Sequence, residues 1–256
     1  MFSSIRLLSC LLLTFGVSYA EGLPQWSEDS PITLAGPHVG HQLVLTNTQR
    51  DLTRTASYHS VPEGIVEIDQ TGYLRPLKNG TATIRATVEG NSSQERQVTV
   101  TGHGSVVPVG FVNEIVPLFT RHGCNGGSCH GKVGGQNSFR LSLMGFEPEK
   151  DRAYLREGLG RRIFRAAPSH SLLVLKGSGQ LPHKGGSRLT PGGDDYQTLI
   201  RWIGQLGSRA KPADEEPGVD RIVVMPSERI TLAEASQQLR VTAHMTDGSS
   251  RDITRA

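Results

Sequence analysis

The sequence predicts a multidomain chain: an all-β sandwich, then a mainly α domain, then the start of a second β-sandwich. Three observations lead there. Short β-branched runs separated by turn residues fill the stretch from Ile32 to Val100. Apolar residues recur at helical spacing near both ends of the stretch from Val109 to Gly207. The string Arg50-Asp51-Leu52-Thr53-Arg54 returns as Arg251-Asp252-Ile253-Thr254-Arg255. At 256 residues the chain has room for two or three units, on a prior of about 100–200 residues per domain. Thirty glycines and fourteen prolines, against two Trp, five Tyr and seven Phe, favour strands, turns and loops over a long helical bundle.

Residues 1–20 read as a secretory signal. Arg6 supplies the positive region, Leu7 to Val17 the apolar core, and Ser18-Tyr19-Ala20 the small-residue cleavage site. An exported protein that works in the periplasm or at the cell surface is therefore expected, with a mature chain from Glu21. The apolar run is about eleven residues, short of the roughly 20 that a spanning helix needs, and no later segment comes close, so no integral membrane segment is expected after cleavage. The formal charge of +3 is spread over mixed acidic and basic residues without a basic block, which gives no footing for a nucleic-acid partner. Cys10 leaves with the signal, so Cys124 and Cys129 are the cysteines that matter.

The first unit is assigned to 28–102. Its runs are Gln42 to Thr46, Thr55 to Ser60, Ile65 to Ile68, Tyr73 to Pro76, Thr81 to Val88 and Gln97 to Val100, with turns such as Lys78-Asn79-Gly80 between them. An all-β sandwich follows. Arg50-Asp51-Leu52-Thr53, Ala56-Ser57-Tyr58-His59-Ser60, Ile65-Val66-Glu67-Ile68-Asp69, Gly72 and Asn79-Gly80-Thr81-Ala82-Thr83-Ile84 resemble the bacterial immunoglobulin-like group 2 module, known from intimin and invasin. That resemblance implies a spacer or adhesion unit with no catalytic role. A second, partial copy is assigned to 219–256 from Arg221-Ile222-Val223-Val224, Gln238 to Ala243 and the repeated Arg-Asp string. Two or three strands alone leave open edges, so the sequence is expected to be a fragment or to pair with something else.

The domain at 109–207 is bounded by Gly102-His103-Gly104-Ser105 and by a linker at 208–218. Phe111, Ile115 and Phe119 follow helical spacing, with Pro117 kinking or restarting the helix. Asp194-Asp195 can cap a closing helix that buries Tyr196, Leu199, Ile200, Trp202 and Ile203.

Cys124-Asn125-Gly126-Gly127-Ser128-Cys129-His130 carries the chemistry. In the usual C-x-x-C-H attachment, two thiols form thioethers with the haem vinyl groups and the adjacent His ligates the iron. Here four residues separate the cysteines, and two glycines could let the loop bulge while both sulfurs reach one macrocycle. A disulfide is also possible, although it would not require His130. Zinc would normally want four Cys or His ligands, and a catalytic cysteine needs a base that adjacency along the chain does not supply.

Phe111 to Phe119, Gly123 to Lys132, Gly135 to Leu143, Pro182 to Arg188 and Tyr196 to Ile203 together resemble the cytochrome c domains of large exported planctomycete proteins, which sit beside group 2 immunoglobulin-like modules. The four-residue spacer is the departure, and it bears on double thioether attachment. The resemblance implies one covalent haem c per chain, electron transfer, and a redox partner protein or further domains of a longer chain. Cys124, Cys129 and His130 are the expected attachment residues. His183, on a Pro-Gly loop ahead of the closing helix, is the expected sixth iron ligand. Met144, expected in the core, His170 and an open position are the rivals, while His122 is expected to point away from the iron. Arg140, Arg188 and Lys132 are candidates for pairing with haem propionates. No catalytic residues are expected, since Asp194 and Asp195 are adjacent rather than facing across a cleft. The competing function is an adhesion or structural protein stapled by a Cys124–Cys129 disulfide without haem.

Overall fold

Period-two burial builds the first part of the chain. The structure, a computed structural model, describes residues 22–28, 30–88, 93–157, 162–206, 216–231 and 233–255. The expected signal at 1–20 and most of the expected linker at 208–218 lie outside these residues. Along β2 (Ile32–Ala35) buried and exposed residues alternate. The buried positions of β8 (Gly80–Thr87) and β9 (Ser93–Thr101) also fall on every second residue, as a sheet with one covered face requires. With β5 (Ser57–Val61) these strands form a four-stranded sheet in the order β2-β9-β8-β5, antiparallel except between β2 and β9.

A second sheet orders β3 (His41–Gln42), β7 (Tyr73–Pro76) and β6 (Val66–Ile68) as β3-β7-β6. Its Val66 and Leu74 share one core with Ile32, Leu34, Ile84, Val98 and Val100 of the first sheet. A short ladder of β1 (Gln25–Trp26) and β4 (Leu45–Thr46) closes one side over Leu52 and Ala86. At the other end of the chain, β10 (Val219–Met225), β11 (Arg240–Met245) and β12 (Ser250–Asp252) form a three-stranded antiparallel sheet.

The expectation of a mainly α, cytochrome c-like domain at 109–207 is overturned. Among the described residues the regular structure is led by strands in four small sheets, and helix makes up only 21%. Between the β-regions lie α1 (Val116–Arg121), entered through a wide helical turn at 111–115, α2 (Pro148–Glu157), α3 (Leu172–Gly177) and α4 (Asp194–Gln205). The longest helix among the described residues has twelve residues, and turns and loops join most of the described helices. The helical spacing is real at the two ends of the segment but does not extend through its glycine-rich middle. Helices shorter than about 12–15 residues are marginal by themselves, so these are held by tertiary packing. Phe111, Ile115, Leu118, Leu199, Trp202 and Ile203 supply the shared core, with Phe111 and Trp202 ring centroids 5.4 Å apart. Tyr196 and Ile200 of the predicted buried face pack at its edge, half covered.

Candidate functional site

The end of α1 delivers the cysteine motif. Gly123 takes a left-handed conformation (φ 69°), Gly123 N–H donates to Thr120 O, and Cys124 N–H donates back to Phe119 O at 2.8 Å. This glycine-terminated cap stops the helix and turns the chain into the loop. The loop then closes on itself: His130 N–H donates to Cys124 O and Gly131 N–H to Gly126 O, each at 3.0 Å. Gly131 is required by space, since a Cβ there would lie 2.0 Å from Asn125 O. Asn125 is buried beneath the loop, its Nδ2 donating to Thr120 Oγ1 at 2.8 Å.

Cys124 and Cys129 carry free thiols, both half-buried. Burial, reinforced by Cys129 and opposed by Arg188, pushes the Cys124 thiol up to about 11. A Cys124 thiol so raised stays protonated at neutral pH and is not by itself a ready nucleophile.

His130 and His183 form the centre of the site. His130 Nδ1 lies 3.0 Å from Phe139 O, and His183 Nδ1 lies 2.9 Å from Gly186 O. A carbonyl only accepts, so each Nδ1 carries the proton and each Nε2 keeps its lone pair free. Burial, together with the nearby His183, Arg162 and Lys132, outweighs the Phe139 hydrogen bond and lowers the pKa of His130, which favours the neutral ligand form. The two imidazole rings lie with centroids 6.3 Å apart and planes within 5° of parallel. The rings are stacked, so each Nε2 lone pair lies in its own ring plane, and holding one metal between the histidines would need the rings to turn their Nε2 atoms toward it.

Among the described residues no three His, Cys, Asp or Glu side chains converge on a point that could hold a metal ion. A bare ion normally needs three or four protein donors, whereas a haem iron takes four donors from its macrocycle and needs at most two axial ones from protein. The donor set therefore fits haem better than a free metal. Leu143, Met144, Phe146 and Leu181 are exposed on the segments that follow the motif and precede His183.

The other sequence candidates disperse. Met144, expected in the core, is 61% exposed instead, on a turn where its φ is 55°; the reason is that Met144 N–H is tied to Asn125 O, which holds the turn outside the packed core. His170 faces solvent beside Ser169. His122 Nε2 pairs with Asp195 at 2.6 Å, away from the imidazole pair. Arg140 is exposed, with its guanidinium 5.3 Å from the Tyr154 ring. Arg188 is exposed on the His183 loop, its Nε donating to Gly185 O at 2.7 Å, and Lys132 is exposed next to the motif.

Sequence reasoning missed Phe139 and Arg162 as site residues. The Phe139 ring lies 4.4 Å from that of His130, and the Arg162 guanidinium sits 5.2 Å from the Phe139 ring. No local pattern marks Arg162; it reaches the site only because the chain returns there. No known protein family matches the chain, and no curated protein is significantly similar to it.

Proposed function

We propose that this protein is an exported electron-transfer protein that carries one covalent haem c. The observation that carries the reading is the His130–His183 pair, parallel and 6.3 Å apart with both Nδ1 atoms bonded to backbone carbonyls, directly beside two unjoined cysteines. Cys124 and Cys129 would supply the thioether sulfurs, and His130 and His183 the protein ligands to the iron. When bound, the group supplies a one-electron Fe(III)/Fe(II) couple whose potential depends on its axial ligands and its burial.

The protein's own residues do the rest. Phe139 O and Gly186 O orient the imidazoles and make them better donors, as hydrogen-bonded partners of ligating histidines do. The Phe139 ring packs against that of His130 and would supply apolar cover on that side. Arg188, Arg140 and Arg162 would offer guanidinium groups to propionate carboxylates. Electrons would pass to a redox partner protein or to further domains of a longer chain. Among the described residues no helix is long and apolar enough to cross a membrane, and the proposed export rests on residues 1–20.

The test is expression with a cytochrome c maturation system followed by intact mass under denaturing conditions. One covalently retained haem, lost when Cys124 and Cys129 are both replaced by Ser, is expected. A mass showing no haem and a Cys124–Cys129 disulfide would sink the proposal.

A further inference from the structure

The β-segment at the end of the described chain repeats a motif of the first β-module and docks on that module through the motif. Gln42-Leu43-Val44-Leu45-Thr46, followed by Arg50-Asp51-Leu52-Thr53-Arg54, aligns with Gln238-Leu239-Arg240-Val241-Thr242, followed by Arg251-Asp252-Ile253-Thr254-Arg255. The second copy differs by a longer hairpin between the two strings. The hydrogen bonds repeat with the residues. Asp51 Oδ1 accepts Thr53 N–H, and Asp252 Oδ1 accepts Thr254 N–H, each at 2.8 Å. Thr53 Oγ1 accepts Leu45 N–H, and Thr254 Oγ1 accepts Val241 N–H, each at 2.9 Å. Leu52 N–H donates to Leu45 O, and Ile253 N–H to Val241 O, each at 2.8 Å. Even the glutamine side chains match, Gln42 Nε2 donating to Leu43 O and Gln238 Nε2 to Leu239 O.

The second oxygen of each carboxylate crosses to the other copy. Asp51 Oδ2 accepts the backbone N–H of Gln238 at 2.8 Å, and Asp252 Oδ2 accepts the backbone N–H of Gln42 at 2.7 Å. Equivalent residues thus exchange roles, which is how an isologous contact about a two-fold axis is built. We propose that the face carrying Gln42 and Asp51 is a homotypic docking surface whose partner is a β-module with the same motif, here the second module of this chain.

Charge complementarity supports that choice of partner: Arg240 bonds Glu28, and Arg255 bonds Asp69 at 2.7 Å across the same seam. The exchange also sets register, because a shifted partner leaves two carboxylate oxygens and two N–H groups unpaired. Its consequence is positional. The central segment runs out from one module and back into the other, and is held by a docked pair rather than swinging between independent spacers. Arg251, from the second module, donates to Asn113 O at the start of the segment, and Arg75, from the first, pairs with Asp194 at 2.7 Å.

Asp51→Asn and Asp252→Asn, made in the whole chain, separate docking from folding. Asparagine keeps an oxygen for its own threonine N–H but presents an N–H2 group to the partner's N–H. Backbone hydrogen exchange is then read at the two glutamines. The expected pattern is crossed: Asp51→Asn accelerates exchange at Gln238, and Asp252→Asn accelerates it at Gln42, each by about tenfold or more, with Thr53 and Thr254 still protected. Acceleration confined to the substituted module, or none at either glutamine, overturns the proposal. If a threonine turn opens as well, Gln238→Pro, which deletes one donor and leaves both aspartates in place, decides: faster exchange at Gln42 supports docking, and unchanged exchange refutes it.

Discussion

His183 is where a single residue decides the chemistry. Its Nδ1 is committed to Gly186 O and its ring faces His130, so His183→Ala removes an axial donor while leaving both thiols in place. The variant is expected to retain covalent haem by mass but to change from a low-spin to a high-spin visible spectrum, with added imidazole restoring the low-spin form. Retention of the low-spin spectrum would assign the position to another ligand. Met144→Ala is the companion measurement: at 61% exposure Met144 is no ligand on this reading, and its loss should leave the spectrum as it was. Cys124, Cys129, His130 and His183 were legible in the sequence because a short spacing and a Pro-Gly loop mark them. Arg162 and Phe139 were not, because their nearness to His130 depends on how the chain closes.

At the scale of elements, the helices show how far a local pattern reaches. The spacing of Phe111, Ile115 and Phe119, and of Leu199, Trp202 and Ile203, marks real buried faces, yet it did not warrant a mainly α domain. One element depends on a distant residue: the carboxylate of Glu216 accepts the backbone N–H groups of Phe111, Val112 and Asn113, which begin the first helical turn. A carboxylate there satisfies donors that a helix start leaves unpaired. Glu216→Ala should cost about 1–2 kcal/mol, seen as a fall in Tm of roughly 2–8 °C for a chain of this size. Gly131→Ala tests the attachment loop. The new Cβ would meet Asn125 O at 2.0 Å, so a lower Tm and a smaller fraction of haem-bearing protein by intact mass are expected.

Across the whole molecule, the seam between the β-modules is electrostatic, and acid should loosen it. Burial opposes ionisation of Glu28, but hydrogen bonds from His41 and Arg240 and their charges prevail and hold its carboxyl at about 2. Asp69 is likewise held at about 2, burial being outweighed by bonds from Thr71, Arg255 and the Tyr73 backbone. Both folded values lie below the ordinary carboxylate range of about 4. Their stabilisation is therefore complete above roughly pH 5 and is lost as pH falls toward 2. Tm measured from pH 6 to 2 should drop in that window, and Glu28→Gln should flatten part of the drop. The sequence by itself determined the local features: period-two strands, the repeated Arg-Asp string, the cysteine motif and the amphipathic ends of the central segment. Each of these is written in residues a few positions apart. Only the tertiary structure decided the facing of His130 and His183, the shortness of the helices, the cap from Glu216 and the reciprocal Asp–Gln exchange. These depend on which distant segments meet, and that is settled by packing and by pairing of buried polar groups over long stretches of chain, which no local spacing records.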